Sequence, residues 1–126
     1  MAVHGLPRFT QDIDILIQPT DIDAAIQAMK SRKFLFDSGV IPFKTVDIRR
    51  ITKLEGPDYL VLDMMIVNEL LAPIWNERIW VDWNGLTVPT VSSVGLARMK
   101  RIASRPQDLV DIERLGFDLD DPAIQP

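Results

Sequence analysis

The sequence predicts a mixed α/β (α+β) domain, built on a mixed β-sheet with flanking helices. Three observations predict it. Short apolar runs, alternating or continuous, recur between turn signals as strands do. Segments of helical periodicity stand among them. The implied order β-α-β-β-α-β-β-α-α lacks the strict βαβ alternation of a doubly wound sheet, so the sheet is expected to be mixed.

Asp12 to Ile17 (D-I-D-I-L-I) reads as a strand with Ile13, Ile15 and Ile17 on one face. Thr20 with Asp23 three residues on resembles a capping box, opening a helix to about Arg32 with Ile22, Ile26 and Met29 inward. Phe34 to Phe43, broken by Gly39 and Pro42, is expected to be irregular. Thr45 to Leu54 reads as a strand, Gly56-Pro57-Asp58 as a turn, and Tyr59 to Val67 as the most apolar strand; together they predict a long antiparallel hairpin. Glu69 to Glu77 is expected to be a short helix. Ile79 to Trp83 and Leu86 to Pro89 flank Asn84-Gly85, a strong hairpin signal. Ser92 caps a helix to about Ser104, and Pro106 opens another that stops at Gly116. Residues 1–116 are expected to form a single domain, followed by an acidic tail, 117–126, that frays.

Composition narrows the chemistry. A chain of 126 residues, 47% hydrophobic and 25% charged, can bury a sizeable core without staples. It has no cysteine, which excludes disulfides, thiolate metal sites and a cysteine nucleophile. The single histidine, His4, excludes any site needing two imidazoles. Fourteen Lys+Arg against eighteen Asp+Glu, a net charge of −4, argues against a protein that coats nucleic acid. No secretory leader or membrane span is legible, so no membrane partner is expected and a cytoplasmic location is the expectation. Carboxylates, Lys or Arg and hard metal ions remain.

Asp12 and Asp14, two residues apart on a strand, project from one face roughly 7 Å apart. Two acids so close suit a hard divalent cation with oxygen ligands. The alternative is the wet face of an edge strand, since D-x-D alone is a weak pattern. Asp63 lies inside Y-L-V-L-D-M-M-I-V, a strand apolar on both faces and therefore central. A buried acid there needs a partner: a metal, or an arginine such as Arg49 or Arg50. Converging with Asp12 and Asp14, it would complete a two-metal site for phosphoryl transfer.

The third cluster is basic. Arg98, Lys100, Arg101 and Arg105 carry no intervening acid. Helical spacing puts Arg98, Arg101 and Arg105 on one face, with Leu96, Met99 and Ala103 as the packing stripe and Lys100 apart. Asp108 and Asp111 share a face of the next helix. The arrangement reads as a phosphate clamp, with Lys100 or Arg105 held by Asp108, or as a solvated basic face. No P-loop or dinucleotide-binding glycine pattern occurs. Arg78 and Glu77 are expected at the surface; Trp75, Trp80 and Trp83 could stack a base, but their positions suit core or interface packing better.

The segment H-G-L-P-R-F-T-Q-D-I-D-I-L-I resembles the hG-x-x-R-x-T-x-D-I-D region of the nucleotidyltransferase superfamily, in particular its AbiEii-like toxin and minimal nucleotidyltransferase branches. The resemblance runs from Gly5 to about Leu115. It implies a nucleotidyltransferase-like sheet in which Asp12, Asp14 and Asp63 are catalytic and bind magnesium. Arg8 and Thr10 match the residues leading into the aspartate pair. Lys100, Arg105, Asp108 and Asp111 resemble the K-x-x-A-x-x-R-x-K-D-x-x-D motif of the AbiEii-like group. That match implies Lys100 and, in support, Arg105 for nucleotide binding, and Asp108 for catalysis or for orienting Lys100. Family members also carry a Gly-Gly or Gly-Ser turn after a first strand, just before this segment. Met1-Ala2-Val3-His4-Gly5 lacks it, so the family's first strand is expected to be missing.

The function this implies is magnesium-dependent transfer of a nucleoside monophosphate from an NTP to a hydroxyl of an RNA end, a protein or a small molecule. The implied setting is the toxin of a toxin–antitoxin pair, with an antitoxin as partner. The alternative is a catalytically degenerate binding protein of the same fold. A weaker third reading is a metal-dependent phosphohydrolase using the same acids. Trp75, Trp80 and the Asn84-Gly85 hairpin are the candidate surface for a homodimer.

Overall fold

Gly56, at φ +61°, reverses the chain between β3 (Val46–Glu55) and β4 (Asp58–Ile66), which pair antiparallel along their length as the turn signal predicts. The computed structural model describes residues 11–126. The molecule is mixed α+β, with a four-stranded mixed sheet and a two-stranded one. Contacts group the chain into two compact units, Met1–Val67 and Asn68–Pro126.

The first unit holds the larger sheet, in the order β1-β4-β3-β2. Strand β1 (Gln11–Ile17) lies parallel to β4, which is central as its two apolar faces predict. Helix α1 (Ile22–Lys30) sets Ile22 and Ile26 into a core with Ile17, Phe34, Ile51, Leu62 and Met64. Alternation places Ile51, Leu62 and Met64 on one face of the sheet. The opposite face therefore carries Arg50 and Asp63. Of the three isoleucines of β1 only Ile17 is buried; Ile13 and Ile15 are 47% and 37% exposed, β1 being an edge strand among the described residues.

Two expectations fail in this unit. The expected capping box is replaced by a 3-10 turn over Pro19–Asp21, so α1 starts at Ile22 with Asp21 before it and no side-chain cap bond. The segment expected to be irregular is strand β2 (Phe36–Phe43), paired antiparallel with β3. Pro42 is tolerated because β2 is an edge strand, where a missing N–H costs no central ladder bond. Gly39, at φ +75°, sits at a register shift between Asp37 and Gly39, where its N–H donates to Asp37 Oδ1 at 2.8 Å.

In the second unit, α2 (Ala72–Asn76) is short, and β5 (Ile79–Trp83) pairs with β6 (Leu86–Thr90). Asn84 and Gly85 at φ +52° and +81° make the expected turn. Helix α3 (Ser93–Ala103) is capped by Ser92, whose Oγ accepts from Gly95 N–H at 3.0 Å. A Cβ at Gly95 would stand 2.9 Å from Val91 Cγ1 and 3.1 Å from Ile74 Cγ2, so glycine lets α3 approach α2 closely. Helix α4 (Pro106–Arg114) opens on its proline and is followed by Gly116 at φ +91°.

The packing stripe of α3 is shifted from the expected one: Ala103 is buried as expected, but Ala97 is buried too, whereas Leu96 is 37% exposed. The acidic tail does not fray. Pro122–Ile124 forms a 3-10 turn that buries Ile124 against Ala97 and Ile112, with Leu109, Phe117 and Leu119 around them. Among the described residues no helix is long and apolar enough to cross a membrane.

Candidate active site

Two clusters of sequence-predicted residues form, one in each unit. In the first, the parallel register makes Asp14 the direct cross-strand partner of Asp63, with Asp12 two residues back opposite Val61. Directly paired residues share a face, as do residues two apart, so all three aspartates project from the face opposite the α1 core. Backbones of neighbouring strands run about 4.8 Å apart, which makes this a dense row of negative charge. Asp12 and Asp14 are exposed; Asp63 is buried.

The row continues on the other side of β4, where Arg50 of β3 is the cross-strand partner of Asp63. Its Nε donates to Asp63 Oδ1 at 2.7 Å and its Nη2 to Oδ2 at 3.0 Å, a bidentate fork on both carboxylate oxygens. The hydrogen bonds with Asp63, and then the charges of Asp63, Asp12 and Asp14, raise the Arg50 pKa above its ordinary value against the cost of burial. Of the two arginines expected to be able to partner Asp63, Arg50 does so. Arg49 points to the other face and forks Asp37, its Nε and Nη2 donating at 2.9 and 2.6 Å.

Among the described residues no three carboxylates or imidazoles lie close enough to form a ready-made metal cage. Magnesium does not require one, being held commonly by one or two carboxylates together with waters and substrate phosphates. Asp12 and Asp14 are hard oxygen donors of that kind, exposed on one strand face, and they fit the ion. Asp63 lies beside them with its oxygens engaged by Arg50.

In the second unit, Asp108 is buried at the first turn of α4. Its Oδ2 accepts from Arg105 N–H at 3.1 Å and Arg105 Nε at 2.6 Å, and Oδ1 from Nη2 at 3.2 Å. Lys100 Nζ donates to Asp111 Oδ2 at 3.0 Å and stands 3.9 Å from Asp108. Gln107 Nε2 holds the other oxygen of Asp111 at 2.8 Å. Asp108 and Asp111 are both depressed below the ordinary carboxylate range, chiefly by hydrogen bonds from Arg105 and from Lys100 respectively. Asp108 thus holds Arg105 directly, while Lys100 is tied mainly to Asp111.

The expected basic face is divided. Helix α3 ends at Ala103 and Ser104 adopts a left-handed φ of +49°, so Arg105 belongs to the start of α4 and shares no helical face with Arg98 and Arg101. Arg98 instead approaches Glu77 at 3.7 Å, and Arg101 donates to Ser104 Oγ at 2.9 Å.

Arg8 and Thr10 lie outside the described residues. One contact the motif reading missed is Arg78, whose guanidinium stands 4.3 Å from the Trp75 ring while its Nη1 donates to Trp75 O at 2.8 Å. The three-residue spacing of Trp75 and Arg78 at the end of α2 was the available signal. Trp80 and Trp83, expected in core or interface packing, are 61% and 65% exposed and so are not core. Compared with known proteins, the chain matches no family model and no curated protein.

Proposed function

We propose that the chain is a magnesium-dependent nucleotidyltransferase that moves a nucleoside monophosphate from an NTP to a hydroxyl acceptor, an RNA end, a protein or a small molecule. One observation carries the reading: Asp12, Asp14 and Asp63 share a single face of neighbouring parallel strands, with Asp14 and Asp63 in direct register. Asp12 and Asp14 are the residues that would hold magnesium, with Asp63 beside them. The bound ion would neutralise triphosphate charge and acidify the attacking hydroxyl.

Within the first unit, Asp63, buried on a central strand, is a fixed point of negative charge in the row, and Arg50 balances it. Within the second unit, Asp111 and Asp108 hold Lys100 and Arg105, the cations that the resemblance assigns to nucleotide binding. The resemblance of the D-I-D and K-x-x-A segments supports a toxin of a toxin–antitoxin pair, acting in the cytoplasm and restrained by an antitoxin. A binding protein of the same fold that no longer transfers nucleotides is the second reading; the engagement of both Asp63 oxygens by Arg50 favours it.

Calorimetric titration with ATP, CTP, GTP and UTP, with and without magnesium, separates the two, followed by a transfer assay with the labelled nucleotide that binds. The expected result is magnesium-dependent binding and transfer that fall by at least about 100-fold in Asp14→Asn, with unchanged thermal unfolding. Transfer that survives the substitution would sink the mechanism. Absence of nucleotide binding by the wild-type chain would favour the second reading.

A further inference from the structure

We propose that Arg50 is the built-in counter-cation of the carboxylate row, and that a divalent cation gains Asp63 only by exchanging with it. The inference rests on the nucleotidyltransferase reading and adds to it the residue that sets cation affinity. Three exposed or buried aspartates on one face repel one another unless a cation lies among them. Arg50 is the arginine that β3 presents to this row: it is in direct register with Asp63, and its fork engages both carboxylate oxygens at 2.7 and 3.0 Å.

The two partners differ in a way that suits exchange. The Asp63 side chain is 13% exposed and set in the central strand, whereas the Arg50 side chain is 43% exposed. Asp63 therefore stays in place while the guanidinium has solvent on one side to swing into. A metal ion taking an Asp63 oxygen would sit against the guanidinium, and two cations on one carboxylate repel. Binding at Asp63 thus displaces Arg50, and the affinity observed is lowered by the strength of the fork. The displaced guanidinium remains beside the row, a planar donor suited to a phosphate. Arg49, adjacent in sequence, cannot take this role because it lies on the other face and is committed to Asp37.

The test is Mn2+ titration of the full chain by calorimetry and electron paramagnetic resonance, without nucleotide. The variants are Arg50→Met, Arg50→Lys, Arg49→Met, Asp12→Asn and the pair Arg50→Met with Asp63→Asn. Exchange predicts that Arg50→Met binds Mn2+ at least about tenfold tighter than wild type. Arg50→Lys, which keeps a charge but cannot fork, should tighten binding by a smaller factor and serves if the methionine variant does not fold. Arg49→Met removes the same charge from the same strand and should leave affinity within about threefold. The gain should vanish when Asp63→Asn is added. Equal affinity in Arg50→Met, Arg49→Met and wild type would overturn the exchange. If wild type then binds and Asp12→Asn does not, the carboxylate site itself survives. No binding by any variant would overturn both the exchange and the metal reading beneath it.

Discussion

Asp63 and Asp108 are both buried acids, and each is compensated by an arginine fork, yet their settings differ. Asp63 answers to an arginine across a strand pair. Asp108 answers to an arginine three residues before it, and also accepts the backbone N–H that α4 leaves without a partner at its start. Local geometry alone therefore makes Asp108 a helix-end residue, whatever else it orients. Asp108→Ala should cost about 1–2 kcal/mol, since it removes the acceptor of the Arg105 backbone N–H at the start of α4 and the fork that Arg105 makes to it. Urea unfolding would measure this, and a change under about 0.5 kcal/mol would show that the first turn of α4 is held by something else. The geometry of the candidate site was legible where spacing is local, as in the D-x-D pair and the hold of Asp108 on Arg105 three residues before it; that Lys100 is tied mainly to Asp111 rather than Asp108 was not. It was not legible where the partner is distant in sequence. Arg49 and Arg50 were equal candidates for Asp63 until strand register put one on each face.

Element boundaries were read well where a turn residue marks them, as at Gly56, Asn84-Gly85, Ser92 and Gly116. They were misread at β2 and at the tail, and both errors have one cause. Gly39 and Pro42 break a strand judged in isolation, but an edge position excuses the proline and a bulge uses the glycine. Likewise, acidic residues and Pro122 suggest fraying until one apolar side chain, Ile124, finds a pocket between Ala97 and Ile112. Ile124→Ala should then destabilise the second unit by about 2–4 kcal/mol, the range for truncating a fully buried isoleucine. Hydrogen exchange is the sensitive check, with α3 and α4 amides losing protection together. Wild-type protection in the variant would mean that the tail does not hold these helices.

Acid should weaken the whole molecule through ion pairs already named. Asp37, held by the Arg49 fork and the Gly39 N–H, is lowered from 3.8 to about 2, and Asp108 and Asp111 are lowered as well. A carboxylate whose folded pKa lies below its unfolded one contributes stability that is fully present above the unfolded value. That contribution is lost as pH falls through the folded one. For Asp37 the window runs from 3.8 down to about 2. Because that pair lies at the surface, its side chains about a quarter exposed, screening limits it to about 1 kcal/mol. Urea midpoints should therefore hold steady from neutral pH to about pH 5 and drop below about pH 4. Arg49→Met should shrink the drop, and a midpoint that stays flat to about pH 3 would contradict the ion-pair account.

By itself the sequence determined the α+β class, the chain order of all but one strand, the turns, and the identity of the acids and bases with chemistry to offer. These follow from periodicities of two and 3.6 and from backbone preferences of glycine, proline and serine, all of which act over a few residues. Only the tertiary structure decided that β1 runs parallel to β4, and that Asp14 therefore faces Asp63. It also decided that Arg50 rather than Arg49 forks that acid, and that Ile124 is core. Each of these pairs residues far apart in the chain. Register and burial across such distances are set by how whole faces pack, which local preference does not encode.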